Sequence, residues 1–473
     1  MALFINNELN GLSNFEIAAN KLGFKQELKQ HEALLKTFQL AGYFKPENIW
    51  IDLNRIGKIN NIEETFKEIV QVIRLSNADE DDPTLFDANA MSKNLFNSNS
   101  FDIQDSMDMI LYIAQHAFNR KPGQERNELI AQNWMIKYKS LYMEQAKCLG
   151  LIDRKSPKRN IYDFAWIAGA SRTSLLKRII DFNFCLKNYS LKIVGGVIIL
   201  AGHRELWADF DKINPLFREE LLKKFKLNES VDNIQVFDNN NNLSEGKEYI
   251  IDLAKRFDIK LNESAPLIEY KTKSECPSGR FLNRVYANYA ADEDKKLTET
   301  IMAKNLIEID LKNKLSVTYI DTKACEGTRP TTATTARDAI EECIKLIESD
   351  QRFSNRKELT ILFESSNPYI ERQMLTSQQE ADKFIKTRGL DDKGYKILIE
   401  GVGCAYNHDN VSLIHSEFGA LVAEKWKLAT SYENKNLKRN INELLYQTRN
   451  NDMEVPNKLE SYCKTKINSN NLS

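Results

Sequence analysis

The side chains able to do chemistry gather in four short polar segments, each directly after an apolar run. Gly202-His203-Arg204-Glu205 puts an imidazole, a guanidinium and a carboxylate within one turn of a glycine that lets the backbone bend. His203 and Glu205 are the candidate proton carriers, and Gly202 and Arg204 line the same turn; Arg204 with Glu205 also reads as a surface ion pair. Ala168-Gly169-Ala170-Ser171-Arg172-Thr173-Ser174 sets small residues ahead of a helix start. Backbone N–H groups around Gly169 and Ser171, with Arg172, suit an anion, while the bland reading is a tight turn with a Ser/Thr cap.

The third segment is the densest. Asp321-Thr322 is followed by Thr328-Arg329-Pro330-Thr331-Thr332-Ala333-Thr334-Thr335 and then by Ala336, Ile340, Ile344 and Ile347 at helical spacing. Pro330 fixes the entry, Thr331 or Thr332 caps the helix, and Arg329 with Thr322, Thr328, Thr335 and the first N–H groups forms a seat for phosphate or carboxylate. Caps alone account for one or two of these hydroxyls. In the fourth segment, Ser365 to Gln373, the residues Asn367, Tyr369 and Arg372 reach toward a shared crevice or form an exposed turn. Arg329 is expected to face that crevice close to Arg172 or His203.

The elements that must carry these segments follow from periodicity. Tyr162–Ile167, Val197–Leu200, Ser316–Ile320, Leu359–Phe363 and Lys396–Ile399 are apolar without strict alternation, as strands buried on both faces are. Helical stretches between them predict βαβ units and a mainly parallel sheet, whose ligand crevice lies at the carboxyl ends of the strands. Gly401-Val402-Gly403, at the fifth such end, permits a close approach or a turn. Upstream, Ile62, Phe66, Ile69, Val70 and Ile73 share a helix face, and a further helix ends at Leu149-Gly150. The organisation read from this is a helical region over 1–155, an α/β domain over 156–428 with an insertion at about 209–300, and a polar tail over 429–473.

Composition sets outer limits. Lys+Arg number 66 and Asp+Glu 67, a net charge of −1, so the chain offers no electrostatic case for a nucleic-acid partner. The seven cysteines are scattered without a C-x-x-C pair, which points to a reducing compartment and no zinc knuckle. The longest apolar run, Ile193 to Gly202, is about half the length of a membrane-spanning helix, and the first residues lack a signal-peptide pattern. A cytoplasmic protein without a membrane span is expected. The residues name no cofactor and no metal ligand set.

The glycine loop, the G-H-R-E turn, the T-R-P-T-T-x-T-T helix entry and the N-P-Y-x-x-R loop, in that order, resemble the YdcF/SanA/ElyC-like family over about residues 160–425. Two departures stand out: the first loop is Ala-Gly-Ala, and Asn367-Pro368-Tyr369 replaces the family's histidine after the fourth strand. The resemblance implies an α/β fold with a mainly parallel Rossmann-like sheet flanked by helices, here joined to an N-terminal helical region. It also implies a soluble binder of a small anionic ligand, phosphate- or nucleotide-containing, acting as a hydrolase or group transferase. The rival reading is a non-catalytic interaction protein, a bacterial effector delivered into a host cell, with the N-terminal helical region meeting a protein partner.

Overall fold

The computed structural model describes residues 13–41, 61–78, 102–118, 138–204, 243–261, 267–270, 284–287, 297–310, 315–323, 330–353, 356–406 and 410–430, with single positions 59, 135, 136, 206 and 211. Two compact units emerge, Met1–Ile152 with Asp409–Ser473 and Asp153–His408.

The first unit is helical: α1 (Asn14–Lys21), α2 (Gln30–Leu40), α3 (Ile62–Ala78), α4 (Ile103–Phe118), α5 (Lys139–Cys148) and, last in the described chain, α11 (Val411–Ala429). Ser13 and Glu16 close a capping box over the start of α1. The stripe expected on α3 is buried at Phe66, Ile69 and Val70. Helix α11 belongs to this unit rather than to the α/β domain in which the sequence reading had placed it. The reason is local packing: Phe118 meets Phe418 edge-on at 4.9 Å, and a Cβ at Gly419 would lie 2.9 Å from the Ala114 carbonyl. Gln115 also donates to the Gly419 carbonyl at 2.6 Å, and Trp426 Nε1 to Asp108 Oδ1 at 2.8 Å.

The second unit is an α/β layered fold. Its strands in chain order are β1 (Ile161–Tyr162), β2 (Phe164–Ala168), β3 (Lys192–Ile193), β4 (Val197–Gly202), β5 (Leu267–Tyr270), β6 (Arg284–Ala287), β7 (Val317–Thr322), β8 (Glu358–Ser366) and β9 (Lys396–Cys404). Its helices are α6 (Arg172–Asn188), α7 (Leu243–Arg256), α8 (Glu299–Asp310), α9 (Thr332–Ser349) and α10 (Ile370–Thr387). The five strands read from the sequence form one all-parallel sheet in the order β7-β4-β2-β8-β9. Alternation along β2 explains its double burial: Ala165 and Ile167 pack with Leu175 and Ile179 of α6, whereas Phe164 and Trp166 pack with Ala339 and Ile340 of α9. The chain runs outward from β2 through β4 to β7, then returns to β8 on the other side. The strand order therefore reverses between β2 and β8, the topological switch point of the sheet. The insertion contributes α7 and the antiparallel pair β5-β6. The sequence-read tail lies outside the described residues apart from Ala429 and Thr430.

Candidate functional site

The turn after β4 is set by contact. A Cβ at Gly202 would lie 2.7 Å from two Pro330 side-chain carbons, so only glycine lets the entry to α9 pack against this turn. The His203 N–H then bonds to the Thr322 carbonyl at 2.8 Å, tying β4 to the end of β7. That contact brings His203 Nδ1 to 2.9 Å from Asp321 Oδ2, while the Thr300 hydroxyl donates to Asp321 Oδ1 at 2.5 Å. The ring and the carboxylate keep partial exposure, 23% and 41%. Burial works to raise the Asp321 carboxyl, but the bonds from His203 and Thr300 outweigh it and hold the group below the usual carboxylate range. A carboxylate only accepts, so in this contact Nδ1 is the donor. No described residue bonds to Nε2.

Arg204, expected to hold a ligand, is instead filled by carboxylates. It grips Asp211 through two bonds of 2.9 Å, donates from Nε to Glu299 at 3.2 Å, and reaches the Ala170 carbonyl at 3.5 Å. Burial opposes its charge, yet Asp211 and Glu299 more than offset that and hold the guanidinium protonated. Glu299 itself is pushed up by burial against the pull of Arg204. Its carboxylate lies against Gly169, where a Cβ would run into it and into the Leu200 carbonyl. Gly169 is thus glycine because a carboxylate and a strand carbonyl crowd it. Glu205 lies outside the described residues.

The first loop also departs from a simple cap. Ser171 bonds Ser174 Oγ at 3.2 Å rather than a backbone N–H, and Arg172 stacks on the Tyr249 ring of α7 at 3.4 Å. The arginine that reaches the strand reversal is Arg178, two turns into α6. It donates to the carbonyls of Ala168 and Gly169 at 2.7 and 2.8 Å and to Ser366 Oγ at 3.4 Å, bracing β2 against β8.

The threonines after β7 mostly cap. Thr331 and Thr334 form a reciprocal capping box at the start of α9, and Thr335 bonds back to the carbonyls of Thr331 and Thr332. Thr322 is buried and donates to Asp338 of α9 at 2.5 Å. Of this segment's candidates, Thr332 alone keeps a hydroxyl with no bond to a described residue, while Thr328 and Arg329 lie outside the described residues. The expected meeting of Arg329 with Arg172 or His203 lies outside them too.

After β8, Asn367 donates to the Asp153 carbonyl through Nδ2, and its Oδ1 is buried without a described partner. The Asn367–Pro368 peptide is cis, Tyr369 stands at the start of α10, and Arg372 is half-buried in its first turn. Beneath this end lies a sealed cluster. Glu364 is fully buried with neither oxygen bonded to a described residue, and Asp181 and Cys185 of α6 face it. The donor atoms of Asp181, Cys185 and Glu364 fall within 4.8 Å of one another, a spacing that suits a metal. The cation the fold itself supplies there is Arg154, bonded to Asp181 and 3.7 Å from Cys185 Sγ. Burial first, and Asp181 second, push the Glu364 carboxyl well above its usual range.

The structure sets Asp321 and Thr300 beside His203, Glu299 and Asp211 around Arg204, and Arg178 at the strand reversal, five residues that sequence reasoning did not single out. Two signals were present: Asp321 closes an apolar strand, and Arg178 interrupts the apolar face of α6 between Leu175 and Phe182. No protein-family model matches the chain, and no curated protein matches it significantly. Among the described residues, no helix is long and apolar enough to cross a membrane.

Proposed function

We propose that this chain is a YdcF-like α/β protein that binds a small anionic, phosphate- or nucleotide-containing ligand at the strand-end crevice and turns it over by hydrolysis or group transfer. One observation carries the reading. His203 is held by Asp321 at the carboxyl ends of the adjacent parallel strands β4 and β7, the end of an open sheet on which ligands bind, and its Nε2 has no bond to a described residue. Nε2 takes the proton of an attacking water or hydroxyl and returns it to the leaving group, and Asp321 stabilises the imidazolium formed between these steps. The start of α6 supplies positive potential toward the ligand's anionic group.

A second reading, binding without turnover, draws on the engagement of Arg204 and Arg172 inside the fold. There the site senses a ligand, and the helical unit meets a protein partner. Thermal-shift measurements with nucleotides and sugar phosphates separate these readings from a protein with no small ligand. At a hundredfold excess over Kd a true ligand adds about 2.7 kcal/mol. His203→Gln is expected to keep that shift and abolish product formation. If no compound of the panel raises the melting temperature, both readings fall. If the shift persists with no product formed by the wild type, the second stands.

A further inference from the structure

The first turn of α8 addresses two consecutive residues of the turn after β4. Glu299 takes Arg204, through the 3.2 Å bond from Nε and through its own N–H on the Arg204 carbonyl at 2.9 Å. Thr300, the next residue, takes His203 at one remove, because its hydroxyl bonds Asp321 Oδ1 at 2.5 Å and Asp321 Oδ2 meets His203 Nδ1 at 2.9 Å.

Thr300 is 4% exposed, whereas the Asp321 side chain is 41% exposed. A carboxylate that open turns about its side-chain torsions and exchanges partners with solvent. A buried hydroxyl on one oxygen removes that freedom and leaves the second oxygen aimed at the ring. Lys304, one turn further along α8, also attracts Asp321. Without the threonine bond, both water and that ammonium compete with the imidazole for the carboxylate.

We propose that Thr300 is a positioning residue for His203: acting through Asp321, it holds the neutral imidazole as the Nδ1–H tautomer, with the Nε2 lone pair facing the crevice. The use made of that lone pair rests on the function proposed above. The tautomer does not, since it belongs to the protein without ligand. Thr300 touches no ligand in this scheme, and its effect is confined to which ring nitrogen carries the proton.

The test is heteronuclear NMR of the full chain carrying 15N-labelled histidine, at a pH where the rings are neutral. Five histidines give five ring patterns, and the one lost in His203→Gln is His203. The wild type should show Nδ1 protonated and Nε2 bare at that ring. Thr300→Val keeps the side-chain shape without the hydroxyl and should move the ring to an Nε2–H majority, while Thr300→Ser should restore the wild-type pattern. A helix serving only as scaffold would lower the melting temperature of both variants without touching the tautomer ratio. An Nε2–H ring in the wild type, or a folded valine variant with the wild-type pattern, overturns the proposal. Should the valine variant not fold, Thr300→Ala takes its place: an Nε2–H majority in the folded alanine variant supports the proposal, and the wild-type pattern there overturns it. Failure of every phosphate compound to bind would leave these spectra unchanged, so the ligand reading and the positioning role fail separately.

Discussion

Two polar groupings flank β2, and they use the same residue types to opposite ends. On the β4-β7 side, Asp321 accepts from an imidazole and a hydroxyl, stays half-open to water, and is held below its ordinary range. On the β8 side, Glu364 is sealed, has no described donor on either oxygen, and is driven well above its range by burial and by Asp181. Arg154 and Arg178 stand nearby, yet Arg154 is given to Asp181 and the Nη groups of Arg178 to two carbonyls and Ser366. The difference teaches that what moves a carboxyl downward here is a donor on each oxygen, and that a cation bonded elsewhere does not offset burial. The open grouping is reachable from solvent, and the sealed one is not.

The largest effect expected from breaking this contrast is on Arg204, which adjoins the open grouping but behaves like the sealed one. Arg204→Ala strands the Asp211 and Glu299 carboxylates and should cost about 3–5 kcal/mol in a urea titration. A loss below about 1 kcal/mol would return Arg204 to the set of ligand-facing residues.

The helical unit offers a single-acid comparison in Asp108, which accepts from Trp426 and Gln104 on one oxygen and is raised by burial to about 6. A folded-state value above the unfolded 3.8 means that this group's contribution is fully present below 3.8 and lost as pH rises through about 6. The loss is roughly 3 kcal/mol on the scale of 1.36 kcal/mol per pH unit. Asp108→Asn keeps an acceptor for Trp426, so urea titrations at pH 4 and pH 7.5 should show the variant gaining on the wild type at the higher pH. Equal gains at both pH values would mean that Asp108 is ionised throughout.

Glu364→Gln tests the sealed grouping directly. The raised folded-state value gives stability that is present at low pH and lost as pH rises through it, and a neutral amide removes that dependence while offering Asp181 a donor. The variant should equal or exceed the wild type at pH 8 by on the order of 1 kcal/mol. A destabilised variant at that pH would show Glu364 working as a carboxylate.

The smallest effect on stability belongs to the open grouping. Because Asp321 is half-exposed, His203→Gln should change the unfolding free energy by less than about 0.5 kcal/mol, yet reduce turnover by about 10²–10⁴-fold. The lowered Asp321 value runs opposite in sign to Glu364: its contribution is present above the unfolded 3.8 and lost on acidification below it. A His203→Gln variant that melts several degrees lower would make the pair structural and erase the contrast.

Much of the α/β unit was legible because buried strands announce themselves. Runs such as Phe164–Ala168 and Val197–Gly202 are apolar on both faces, and the helical stretches between them leave a parallel sheet as the way to connect them. His203 was legible for the same reason, since a polar turn straight after such a run lands at a strand end. The partners were not. Asp321 lies 118 residues from His203, Glu299 lies 95 from Arg204, and Ser366 lies 188 from Arg178. Sequence reasoning reads neighbours within a turn or two, and it offered Arg204 as a ligand contact or the partner of Glu205, and the threonines as caps or a ligand seat. Strand order supplied the distant partners: β7 beside β4 delivered Asp321 to the imidazole, and the start of α8 delivered Glu299 and Thr300. Local pattern determined which segments became strands and which ends were polar, because burial and periodicity act within a segment. Which polar side chains met, and which oxygens were left without a donor, was decided only by the order in which the strands packed.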